Sequence, residues 1–555
     1  MGRQKNRAGV LPRPAVKPQL SRAIAIANLI EQRSILIAVL LTLIATIRIA
    51  STWTVFNHTA DEPAHLACGM EWLASGTYRY EAQHPPLARI AVALGPWLSG
   101  MHPWNKKVMG QEGVAILYTA GGVYYDRTLL LARAGILPFF WLGTLVVFLW
   151  GRDLAGPLGA VLAVLVFTSL PPVLAHAGLA TTDMALTATL MAALYTFLRW
   201  LDRPTVARAA LFGCALAATV LSKFSSLAFL PAMVIAIAAW WLWRDRAAAQ
   251  RAIAERWKPV LRTVLVALVV ALPLIWACYR FSFAPVHPGG IHVPAPELFI
   301  GIGEVENHNA KGHPSYMLGE HSETGFWYYY PVDLVIKTPL GFLLAAIAGA
   351  WLALKYRDRA GIVVALCAGI LIVGLFSRIN IGIRHILPVY AGIALVCAWF
   401  FVRTFRGTNI WAKRVAVVAL VWGVVSSAAA HPDYLPYFNE IVSTPENWVD
   451  DSDLDWGQDM KRVSRRLHEL GAQSVAFSPS ILAHLVLFHG FPPLTPNDPF
   501  RPSEGWNVVS PTSWHTFQLY GPTGTPDDQL WPAHVKPTER VGSELLYYFP
   551  PAASR

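Results

Sequence analysis

Two acidic residues stand side by side at Asp61-Glu62, just past the first long apolar run, and Gln83-His84-Pro85-Pro86-Leu87 follows in the same polar stretch. Carboxylates are costly to place near lipid, so an acidic pair at a bilayer surface asks for a reason. A carboxylate there can take the proton of an acceptor hydroxyl as that oxygen attacks an anomeric carbon, given hydrogen-bond reach. The plainer reading is capping: Thr59 or Asp61 caps a helix that begins near Pro63, with the acid favoured by the helix dipole. The two roles are compatible. His84 precedes two prolines that fix the backbone and aim it from a helix start, where a basic group and the N-terminal dipole suit a phosphate.

Other polar residues are out of place in an apolar chain. Asp183 opens an apolar run in Ala180-Thr181-Thr182-Asp183-Met184, as a helix cap or as a second acid facing the same cavity. Lys223, after Ser222, sits in a tight turn on the outer side, where topology disfavours lysine and phosphate binding would explain it. Arg378, Arg384 and His385 lie on that side too and suit an anionic headgroup. Residues 304–321 hold Glu304, Glu306, His308, Lys311, His313, Glu320 and His321, a metal-binding composition whose spacings fit no strong metal signature. His308 is the candidate ligand should a divalent metal bind, and Lys311 a candidate substrate contact. The acids from Asp451 to Asp459 have the alternation of a calcium loop, but its glycine falls one place late and Arg462 stands where the last ligand belongs. A capped turn leading into a helix is the better reading.

These groups must be carried by membrane helices. The 555 residues are 54% hydrophobic and only 14% charged, against about 25% charged in soluble domains. The net charge of +11 reads as lysine and arginine marking cytoplasmic loops, not as a nucleic-acid surface. The five cysteines mostly fall inside apolar runs and suggest neither a disulfide framework nor a metal pair. At roughly 20 residues per span, about eleven spans are expected, near 34–52, 133–150, 157–175, 184–201, 205–221, 225–243, 260–279, 334–354, 360–376, 383–402 and 412–430. The first is read as a retained helix. With residues 1–33 as a cytoplasmic basic tail, the basic loops all fall on one side.

The outer face then receives the loops 53–132 and 280–333 and everything from 431 to 555. Within the first loop, 62–75 and 86–100 read as interfacial helices. The aromatic residues of both large loops read mainly as an interface belt. The tail predicts a helix over 458–470 capped by Gly471, strands at Ser474–Phe477 and Glu544–Phe549, and hence a small mixed α/β region.

Taken in order, these motifs resemble the lipid-dependent membrane glycosyltransferases of the GT-C fold, most nearly the protein O-mannosyltransferase and aminoarabinose-transferase-like group. The resemblance rests on Asp61-Glu62, His84-Pro85-Pro86-Leu87, Arg133 at the start of the second span, Thr181-Thr182-Asp183 and Ser222-Lys223. It continues through Gly325–Tyr330, Lys337-Thr338-Pro339, Arg384-His385-Ile386-Leu387-Pro388, residues 432–440 and Asp455-Trp456-Gly457-Gln458. It implies a polyprenyl- or dolichyl-phosphate sugar as donor, an inverting transfer to a protein, lipid or glycan hydroxyl outside the cytoplasm, and Asp61 as general base beside Glu62. It also implies that His84, Lys223 and Arg384 hold the phosphate, that Asp183 lines the cavity, and that Arg133 belongs to the substrate site. A bacterial inner membrane is the expected location. Aminoarabinose-type relatives carry an acid and a lysine before Pro-Pro; Gln83-His84 stands here instead, which weakens a metal at His308 and makes His84 pH-sensitive as a phosphate ligand. No cofactor is expected to be required, and a divalent metal stays compatible with the sequence.

Two other classes use the same residues. A transporter or flippase for a lipid-linked sugar would be expected to show internal repeats and broken helices at the midplane. Here the polar groups gather at one face and no repeat is visible. A non-catalytic glycosylation subunit would leave Asp61-Glu62 without a task.

Overall fold

The computed structural model describes residues 32–478, 488–498, 500–515 and 526–551. Nearly all of the expected basic tail, residues 1–31, lies outside them. Among the described residues six helices are long and apolar enough to cross a membrane: Tyr125–Phe167, Asp183–Asp202, Ser226–Arg244, Arg246–Cys278, Val389–Arg406 and Ile410–Ala429. Shorter apolar helices run over Ser34–Ala50, Pro86–Leu98, Val206–Val220, Leu340–Lys355 and Gly361–Leu375.

The first of the long segments is not one rod. Tyr125–Ala134 stops before Leu137–Phe167 starts, and Pro138 suits the first turn of the new helix. Leu137–Phe167 itself breaks at Gly156, whose φ of 77° and ψ of −170° suit glycine alone, just ahead of Pro157. The expected boundary between spans 133–150 and 157–175 falls on this break. Arg133, expected to open the second span, instead lies in the last turn of Tyr125–Ala134.

Val389–Arg406 packs on Leu137–Phe167 more extensively than any other helix pair described, and both are buried along most of their length. Arg246–Cys278 and Ile410–Ala429 leave most of their apolar surface open, as helices that face lipid do. The polar loop after Ser34–Ala50 holds the helices Glu62–Ser75 and Pro86–Leu98. The first ends on Gly76 in the left-handed region, at φ 66°. The two cross closely at Gly69, where a Cβ would lie 2.1 Å from the Arg89 carbonyl oxygen. This close crossing fixes the distance between the acidic pair and His84.

The tail forms a five-stranded mixed sheet. Its order is Leu494–Thr495, Val475–Phe477, Gly505–Val509, Glu544–Phe549, Glu539–Val541, with the first two pairings parallel and the last two antiparallel. The helix Met460–Glu469, followed by Gly471 at φ 69°, lays Met460, Val463 and Leu467 against Val475, Phe477, Val508 and Leu546. Glu544 is fully buried in the sheet, beside the carboxylate of Asp455. Burial, and then the charge of Asp455, hold this carboxyl well above its usual range. A carboxyl raised on folding favours the fold most at low pH, and that advantage is lost as pH climbs above the unfolded value of 4.5. Glu544→Gln is therefore expected to flatten the fall of the thermal midpoint between about pH 5 and pH 8. At the upper end it should raise that midpoint by about 2–4 °C. Parallel wild-type and variant melting curves across that range would rule this out.

Candidate active site

The segment before Asp61 is stitched to a stretch four hundred residues away. The Asn57 amide donates to the Gln458 carbonyl at 3.2 Å and the Ala60 amide to the Trp456 carbonyl at 3.2 Å. The Asn57 side chain donates to the Gly457 carbonyl at 2.6 Å and accepts from the Lys461 amide at 3.2 Å. The chain then turns into the helix Glu62–Ser75, and the two acids part company there.

Glu62 points inward and is 1% exposed. Arg133 grips it with both arms of its guanidinium, Nε to Oε1 and Nη2 to Oε2, each at 2.8 Å. The backbone amides of Thr59 and Ala180 each donate to it at 2.8 Å. Arg133 also donates to the Asn57 carbonyl at 2.8 Å. Both oxygens of Glu62 are thus engaged, and the fork geometry is the strong one for this pair. Glu62 and Arg133, both expected to be site residues, pair with each other as a buried brace that ties three segments together.

Asp61 points the other way, with its side chain 41% exposed. Its Oδ2 receives Nη1 of Arg384 at 2.8 Å. The guanidinium of Arg384 lies over the Trp456 ring, 4.1 Å from its centroid, and its Nε donates to the Ile381 carbonyl at 3.0 Å. Burial pushes the Asp61 carboxyl up, but Arg384 outweighs it and leaves the group below its usual value. Asp61 is therefore a charged, reachable carboxylate held by one cation.

His84 faces the same region from the start of Pro86–Leu98. Its Nδ1 hydrogen-bonds Oε1 of Glu81 at 2.9 Å. Arg89, fully buried, pairs with the other oxygen of Glu81 and donates to the carbonyls of Glu81 and His84 at 3.1 and 3.2 Å. His65 packs edge-on to His84 with ring centroids 5.2 Å apart. Burial, Arg89 and His84 push the His65 imidazole down to about 3, so it is neutral. Glu81, Arg89 and His65 were not among the expected site residues. The acid three places before His84 was the available signal.

Asp183 and Lys223 come together: Nζ meets Oδ1 at 2.6 Å, with Asp183 fully buried at the start of its helix. Arg384 lies within electrostatic reach of Asp183, which links this pair to Asp61. Lys311 ends the helix Pro296–Lys311 and is exposed. His308, one turn earlier, hydrogen-bonds Gln83 at 2.8 Å and faces His313 with ring centroids 5.9 Å apart. Among the described residues no three His, Cys, Asp or Glu side chains converge as a metal cage.

Residues 38–286 match the family model described as dolichyl-phosphate-mannose-protein mannosyltransferase. No curated protein matches the sequence. The structure of ArnT from Cupriavidus metallidurans in the apo state is similar at a TM-score of 0.50 and 13% identity, covering 92% of this chain and 97% of that one. The same protein bound to undecaprenyl phosphate gives 0.49 at 13% identity with the same coverage. The archaeal oligosaccharyltransferase AglB from Archaeoglobus fulgidus, in complex with an inhibitory peptide and a dolichol-phosphate, gives 0.43 at 11% identity. It covers 82% of this chain and 60% of that one.

Proposed function

We propose that this chain, a glycosyltransferase of the GT-C fold whose residues 38–286 carry the protein mannosyltransferase domain, moves a sugar from a polyprenyl-phosphate carrier to an acceptor hydroxyl. The transfer inverts the anomeric centre and takes place on the extracytoplasmic face. In this reading about eleven spans cross a bacterial inner membrane, at roughly 20 residues each. The N-terminus is cytoplasmic, and the tail from 431 lies outside.

The observation that carries the reading is the Asp61–Arg384 pair: a charged, half-exposed carboxylate whose partner is a cation that a phosphate also wants. A donor phosphate arriving at Arg384, with Lys223 and His84 nearby, competes with Asp61 for the guanidinium. Once released, Asp61 takes the proton of the acceptor hydroxyl while that oxygen attacks the anomeric carbon. The bond from that carbon to the phosphate oxygen breaks, and the basic side chains hold the charge that grows on the leaving polyprenyl phosphate. Glu62 and Arg133 keep the turn that presents Asp61. Every step uses side chains alone.

The test is purified protein in detergent with undecaprenyl-phosphate sugars and a cell extract as acceptor. Release of undecaprenyl phosphate together with a product of inverted anomeric configuration is expected. Movement of an intact donor across a liposome membrane without cleavage would instead establish the flippase reading. Arg384→Met should raise the donor KM by about ten- to a hundred-fold. An unchanged KM would remove Arg384 from phosphate binding.

A further inference from the structure

The helix Asp183–Asp202 carries Asp183 at one end and Asp202 at the other, about 30 Å apart at 1.5 Å per residue. At the far end, remote from Asp61, lies a groove of about 610 Å³. It runs between the end of this helix, the end of Ser226–Arg244 and the start of Arg246–Cys278. Ligand sites commonly occupy roughly 300–1,000 Å³. Trp241, Leu242, Ile253 and Trp257 give the groove apolar walls, and Arg244 and Arg256 line it as well. Ile253 and Trp257 are 63% and 51% exposed, so the walls are open to a ligand.

The charges around it are unbalanced. Arg246–Cys278 is 33 residues long, about 50 Å at 1.5 Å per residue, against a hydrocarbon core about 30 Å thick. Its apolar residues lie toward the C-terminal end. The stretch 246–262 carries Arg246, Arg251, Arg256, Lys258 and Arg262 against the single acid Glu255, so this end stands at the bilayer face. The two acids that line the groove are engaged. Asp245 caps the helix by accepting the Ala248 amide at 2.9 Å. Asp202 faces Arg256 at 3.5 Å, an exposed pair that a better anion displaces at little cost. Arg244 is exposed and makes no ion pair among the described residues.

Apolar walls beside arginines select a molecule with an apolar tail and an anionic head. A free anion would leave the walls uncovered, and a zwitterionic lipid brings a cation of its own to the arginines. Basic clusters between helices at the cytoplasmic side suit anionic headgroups, and tryptophan settles at that depth. We propose that this groove is a binding site for an anionic glycerophospholipid, with an acyl chain along the Trp241 and Trp257 walls and the phosphate on Arg244 and Arg256. Its leaflet, the cytoplasmic one, follows from the orientation proposed above; the binding does not depend on the transfer.

The experiment titrates the delipidated full chain in detergent with phosphatidylglycerol or phosphatidylcholine of matched acyl chains, by native mass spectrometry. Wild type should hold phosphatidylglycerol at least about ten-fold more tightly. Arg244→Gln and Arg256→Gln should each remove about five-fold of that margin, and the double variant nearly all of it. Ala252→Phe, which fills the groove from the wall, should weaken phosphatidylglycerol binding with every arginine in place. Arg414→Gln, on the same side but outside the groove, should change nothing. Equal affinity for the two lipids in wild type overturns the site. So does a margin that survives the double variant, or one that Arg414→Gln reduces as much, since the preference then belongs to the basic face as a whole. Release of undecaprenyl phosphate, measured in parallel, tests the transfer separately.

Discussion

Asp61→Asn is expected to lower sugar transfer by about 10²–10⁴-fold, the range for loss of a positioned general base, while donor affinity holds or rises. The two halves of this result have one cause. Asparagine keeps the shape of the side chain and loses the proton acceptor. It also gives up the charge that pairs with Arg384 at 2.8 Å, leaving that guanidinium free for the donor phosphate. A purely structural Asp61 would give the opposite pattern, with weaker donor binding and a lower thermal midpoint. Single-turnover release of undecaprenyl phosphate, measured beside donor affinity, separates the cases. Unchanged release would take Asp61 out of the chemistry.

Arg133→Met is expected to destabilise the fold by about 3–5 kcal/mol, the usual effect of breaking a buried ion pair from one side. Glu62 would keep its two backbone donors but lose both guanidinium bonds while staying buried. Glu62→Gln breaks the same pair from the other side and leaves the Arg133 guanidinium charged and buried, so a loss of the same order is expected. The check is the thermal midpoint in detergent together with the fraction of monodisperse protein. A variant that melts with wild type would show that the brace is dispensable. Comparing Arg133→Met with Asp61→Asn then divides adjacent acids into one that holds the turn and one that reacts.

Much of this was legible in the residues. Apolar runs carry their own signal, so the helices Asp183–Asp202, Val206–Val220 and Ser226–Arg244 lie within a few residues of the expected 184–201, 205–221 and 225–243. Gly156-Pro157 marks a break because the backbone chemistry of those two residues demands one. The division of labour between Asp61 and Glu62 was not legible. Nothing in a pair of adjacent acids says which one faces an arginine at position 133 and which one an arginine at 384. The same holds for Trp456, which supports Arg384 from a segment far along the chain. The helices Met109–Leu117 and Pro296–Lys311 were missed because they are short or polar, and tertiary contact rather than periodicity stabilises them; Pro171–Ala177 falls mostly inside the expected span 157–175, which was read as one helix.

The hydrogen bonds that join residues 57–60 to 456–461 bear on how the protein is made. Asp61 leaves the ribosome among the first sixty or so residues, but the stretch that fixes its turn, and Arg384 with its Trp456 support, emerge hundreds of residues later. At about 5–20 residues per second, the carboxylate waits tens of seconds in the membrane before its partners exist. In the transfer proposed above, a chain that ends before residue 461 carries the proposed base without the contacts that place it, and synthesis past that point becomes a condition for activity.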